Sequence, residues 1–268
     1  CTTLFVGAGS SAVLQRLTFS GTVSLTVSGV LSVGTGSAST RPGTLQFTSD
    51  ATVTAGSVSL NRELSTSTKS VLDMTAGGKL VTGSLAVGGG NVDPLNAVWL
   101  PGAGTVELNA NNTLPATHFT NFNNLTLSGA TTTTLAANLA IGGQLKIGAS
   151  AVMNLGTFAS TANSLWIDGV QQSPGEWGPV GSGACNQSDR FTGTTGRMTV
   201  ATGVGCVRPC PPTGDVSQSF CTGQSHLVSD LAVSGSGIIW YDTASGGSVV
   251  SPGTTLVDGT TYYASQTV

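Results

Sequence analysis

The chain has 268 residues, 39% of them apolar and only 8% charged, with a formal net charge of −3. That apolar content with so little net charge excludes a disordered polymer. The nine basic residues stand singly, which excludes the footprint of a nucleic-acid binder, and no apolar run approaches the roughly 18 residues of a membrane-spanning helix.

The first residue is Cys1, and the LFV behind it is too short for a signal-peptide core. The chain therefore reads as a piece cut from a longer precursor. A mature lipoprotein carrying its lipid on Cys1 is the weaker alternative, because a strand follows directly where a flexible spacer would be expected.

Residues 1 to about 160 alternate apolar and small polar residues in short pieces, separated by Gly, Asn or Thr. Period two predicts strands, and the punctuation makes them short. No stretch shows helical periodicity. The clearest part runs from Phe122 to Gly156, where LTLSG, LAANLAI and QLKIGAS follow in order. A similar order occurs upstream as LTFSG (17–21), SLTV and VLSVGTGS (30–37). A returning pattern predicts a repeat architecture.

A sandwich or a parallel β-solenoid could use these pieces. The right-handed parallel β-solenoid, or β-helix, is favoured. The pieces are very short, the turns hold few prolines, and there is little charge to cover two broad faces. About 20 residues per coil would give about eight coils and a rod roughly 40 Å long. Its ends would need covering, because open edges recruit other chains.

Residues 157–203 change character and read as a C-terminal cap, which closes a first domain of 1–203. A strand is expected at Leu165 to Asp168, a turn at Asp168-Gly169 and a closing strand at Arg197 to Val200. Trp177 and Phe191 are the expected cap aromatics. Residues 204–211, with two prolines and two cysteines at 206 and 210, read as a linker.

Residues 212–268 form a second unit. Cys221 is expected on an early strand, Ile238 to Tyr241 on an apolar strand, and Thr261 to Ala264 on a late one. A Cys, then a Trp about 20 residues on, then a Tyr-rich strand is the order of an immunoglobulin-like β-sandwich. The second cysteine of that fold has not appeared by Val268. The sandwich is expected to be incomplete at its C-terminus, with the partner of Cys221 beyond Val268.

Two resemblances accompany these readings. LWIDGVQQSPGEWGPVGSGA followed by DRFTGTTGRMTV resembles the closing segment of bacterial autotransporter-type β-solenoid repeats. GTVELN and FNNLTLSG resemble coils of the same large surface proteins. Cys185 departs from that pattern, and the departure fits an added disulfide to Cys206. PTGDVSQSFC, IIWYDTASGG and LVDGTTYYASQTV resemble the immunoglobulin-like modules of secreted and surface proteins of the Bacteroidetes. That resemblance implies a spacer or adhesive module in a large exported protein and implies no catalytic residue.

Candidate chemistry is thin. The cysteines are Cys1, Cys185, Cys206, Cys210 and Cys221. No CxxC pair occurs and His118 and His226 stand alone, so disulfides are expected and zinc is not. Asp73 and Asp93 are 20 residues apart, so a coil of that length would stack them. With Lys69 and Lys79 nearby they could serve as nucleophile and acid or hold Ca²⁺; the plainer reading is two separate turn residues. Thr131 to Thr134 could form a hydroxyl face, and is more simply a turn between coils. Trp99 in AVWLPG could stack a sugar ring, and is more simply a buried side chain before a Pro turn.

The function expected is a non-catalytic structural and adhesive segment of a secreted or cell-surface bacterial protein. It would act as a stalk contacting extracellular glycan or a neighbouring cell surface, beside other domains of its precursor. No cofactor, metal, nucleic-acid partner or transmembrane segment is expected. The alternatives are a polysaccharide lyase or hydrolase on a β-helix, and a carbohydrate-binding module.

Overall fold

The computed structural model describes residues 1–7, 15–19, 21–34, 42–63, 69–89, 97–205, 210–221 and 223–267. Among them the chain is all-β, with mostly parallel sheets and no α-helix. It divides into two compact units, Cys1–Val207 and Arg208–Val268.

In the first unit the largest sheet collects strands in sequence order. Thr3–Val6, Ser24–Val33, Thr52–Asn61, Lys79–Thr82, Thr105–Leu108, Asn124–Leu127, Ala140–Ile147 and Ala159–Ile167 pair one with the next, all in parallel. Alternation decides which side chains turn inward. Val53, Leu80, Val106, Leu125, Leu145 and Leu165 stand opposite one another from strand to strand. None is more than 1% exposed. Burying each such side chain stabilises the fold by about 1.5–3 kcal/mol.

A second parallel sheet joins Gln15–Thr18, Gly43–Gln46, Ser70–Asp73 and Ala97–Leu100. Its inward column is Leu17, Leu45, Leu72 and Trp99. A third joins Asn112–Leu114, Thr132–Leu135, Val152–Asn154 and Phe191–Thr192.

The spacing corrects the expectation of an even 20-residue repeat. Thr3 faces Val30, Val30 faces Ser57, and Gln46 bonds Asp73 at a separation of 27 residues. Later, Leu125 faces Leu145, and Gln144 bonds Asn124 at a separation of 20. The reason is the second sheet. Early passes of the chain visit it; after Leu100 the chain no longer does, and a pass built on the first and third sheets needs fewer residues.

The threonine run is also corrected: Thr132–Leu135 is a strand and Thr133 is fully buried. β-Branched residues fit a pleated, half-buried surface, and the punctuation belongs to the preceding Gly129, at φ 73°.

Past Ile167 antiparallel pairings join the parallel ones. Gly175–Gly178 pairs antiparallel with Arg197–Thr202, which pairs parallel with the start of Ala159–Ile167. Trp177 and Phe191 are buried at 7% and 1% exposure and join the core. The Trp177 indole N–H donates to Ser173 O at 3.0 Å, and Arg197 Nε donates to Glu176 Oε1 at 3.2 Å.

The second unit has a three-stranded antiparallel sheet in the order Val249–Val250, Ile239–Tyr241, Tyr263–Ser265. Isolated bridges join Thr213 to Ser234 and Leu227 to Thr255. Val228 is its one buried hydrophobic residue among those described. The expected early strand at Cys221 is corrected, because no ladder forms there. Instead the Gln218 side chain serves as a neighbour to Ala232. Ala232 N–H donates to Gln218 Oε1 at 2.7 Å and Gln218 Nε2 donates to Ala232 O at 2.9 Å.

Candidate functional site

Asp73 ends a strand of the second sheet, and its register neighbours are Gln46 and Leu100. A 27-residue step therefore removes the reason for stacking it on a residue 20 further along. Both carboxylate oxygens are engaged: Oδ2 accepts from Gln46 Nε2 at 3.0 Å and Oδ1 from the Thr75 N–H at 2.8 Å. Asp93 lies outside the described residues. Lys69 forms no ion pair among the described residues, and Lys79 pairs with Glu107 at 2.8 Å.

Trp99 turns inward at the end of the second sheet and is 7% exposed. The rings of Phe119 and Phe122 pack on it, with centroids at 5.2 and 5.7 Å. Its indole N–H donates to Asn121 O at 2.7 Å. It fills the junction where the second sheet stops and has no face open to a sugar.

The outward face of the first sheet carries further polar interactions. Glu107 accepts from Lys79 and, at 2.7 Å, from Ser128 Oγ. Burial works to raise its pKa, but the bond and charge of Lys79 and the Ser128 hydroxyl prevail, and its carboxyl sits below its ordinary range. Lys146 faces Trp166 across one strand pairing, with its ammonium 5.8 Å from the ring centroid. That is a cation–π distance.

Cys185 and Cys210 are each disulfide-bonded, Cys1 and Cys221 are exposed free thiols, and Cys206 lies outside the described residues. Among the described residues no group of three His, Cys, Asp or Glu side chains is placed to hold a metal ion. His118 occupies a left-handed backbone position at φ 66°. His226 lies 4.6 Å from the Phe220 ring, centroid to centroid, with Nδ1 3.5 Å from Asp230 Oδ2.

The second unit carries a concave surface. Two adjoining grooves of about 570 Å³ each share Gln218, Leu231, Asp258 and Tyr262, and so form one trough. Trp240 and Tyr263 line one end; Cys221 and His226 line the other. Asp215 also lines it. Neither Asp215 nor Asp258 makes an ion pair or a side-chain hydrogen bond with the described residues, whereas Asp230 and Asp242 cap backbone N–H groups. Motif reading misses this trough, since its lining comes from segments far apart in sequence. The signal that could have found it is charge. The last basic residue is Arg208, and beyond it come four aspartates and no Lys or Arg.

No protein-family model, curated protein or solved structure matches the chain.

Proposed function

We propose that the chain is a non-catalytic structural and adhesive segment of a secreted or cell-surface bacterial protein. The first unit is a right-handed parallel β-solenoid that serves as a stalk, with residues 157–203 as its cap. The second is an immunoglobulin-like module that contacts extracellular glycan or a neighbouring cell surface. The observation that carries this reading is the unbroken parallel pairing from Thr3 to Ile167, with its inward Leu and Val columns. Such stacking supports a stiff, dry-cored element. The commitment of Asp73 and Glu107 to neighbouring side chains or backbone supports the absence of catalysis on this unit. Disulfide-bonded Cys185 and Cys210 fit an oxidising compartment.

Two measurements test it. With the free thiols removed by Cys1→Ser and Cys221→Ser, spin labels at Thr54→Cys and Lys146→Cys sit four strand pairings apart in one outward column. Their separation should be about 19 Å plus the label arms, and a distance far outside that range would end the solenoid reading. Incubation with a panel of neutral and acidic polysaccharides should release no reducing ends or unsaturated products. Product release abolished by Asp73→Asn would establish the enzyme instead.

A further inference from the structure

We propose that the trough of the second unit binds a glycan carrying free ammonium groups, such as a de-N-acetylated amino-sugar chain. This rests on the adhesive reading and names the chemistry of its ligand.

Three observations converge. Trp240 and Tyr262 bring two part-exposed aromatic rings to one open trough. Such faces stack on sugar rings and attract cations. Asp215 and Asp258 line the same trough without a cationic partner among the described residues, and past Arg208 the chain has no Lys or Arg to supply one. An anionic sugar would be repelled, and a neutral one would leave both carboxylates uncompensated. An ammonium-bearing sugar satisfies the rings and the carboxylates together. A basic peptide shares the charge but fits less well. Peptides gain affinity in grooves from an exposed backbone edge, and on the Ala232 wall that edge is already occupied by the Gln218 amide.

The test is calorimetric titration of the full chain with a β-1,4-linked glucosamine hexamer and with its fully N-acetylated counterpart. The glucosamine hexamer should bind at least about tenfold more tightly, an advantage that shrinks as salt rises. The double variant Asp215→Asn/Asp258→Asn should abolish that advantage. Asp50→Asn, a charge change in the first unit, should leave it intact. Both trough carboxylates are exposed, so their variants should fold, and circular dichroism checks this. Equal affinity for the two hexamers, an unaffected double variant, or no binding would each overturn the proposal. So would hexalysine binding as tightly as the amino-sugar hexamer, which would mark a basic-peptide groove. None of these results bears on the spin-label distance or the turnover assay, so the scaffold reading stands or falls separately.

Discussion

Glu107 holds Lys79 from one neighbouring strand and Ser128 from beyond another, and so ties three strands of the large sheet together. Its folded pKa lies below the unfolded value near 4.5. The stabilisation is therefore complete above that value and is lost as pH falls through the lower folded pKa. Glu107→Gln should cost about 0.5–1 kcal/mol at neutral pH and nothing at low pH. Urea midpoints from pH 7 to pH 3 measure this, and a difference that persists at the acid end would refute it. Gly102 is a second sensitive residue. At φ 46°, a Cβ there would lie 2.1 Å from Thr75 Cα. Backbone strain and overlap add, so Gly102→Ala should cost about 2–4 kcal/mol by urea denaturation. Neither residue is legible in sequence. Glu107 sits in TVELN like any outward strand residue, and Gly102 is one glycine among 38.

Strands were the most legible elements, because alternation is a local property. LTLSG and QLKIG fall on Asn124–Leu127 and Ala140–Ile147, and their 20-residue separation could be read directly. The 27-residue step could not. It depends on which sheet a pass of the chain visits, and that is set by tertiary pairing. The same gap explains Asp73, whose proposed neighbour was chosen by a spacing that does not hold at that point in the chain. Trp99 marks the change. It ends the column Leu17, Leu45, Leu72, and two phenyl rings close over it. Trp99→Ala should cost about 3–5 kcal/mol through the cavity it leaves. Trp99→Phe keeps much of the volume and loses the bond to Asn121 O, so about 1 kcal/mol is expected. Chemical denaturation of both variants decides this; equal losses would mean that the hydrogen bond, not the packing, holds the junction.

At the scale of the chain the two units differ in how much they bury. The first has a continuous apolar cluster from Val6 to Val200, whereas Val228 is the buried hydrophobic residue described in the second. Local stability follows buried contacts. Amides of Leu125–Leu127 and Leu145–Ile147 should exchange at least about a hundredfold more slowly than those of Ile239–Tyr241. Hydrogen-exchange mass spectrometry would show it, and equal protection would mean that the units open together. Composition predicted the all-β class. It did not predict the trough, whose rings and carboxylates are gathered by folding.

Between Thr105 and Ile167 each strand meets nearly the same surroundings on both sides, as Leu125, Leu145 and Leu165 do. A tandem copy of one such segment would insert itself between like neighbours and lengthen the stack by about 4.8 Å. Slippage during replication can therefore add or delete an increment without a new core having to be invented. The length of this unit is a heritable variable, open to selection in small equal steps.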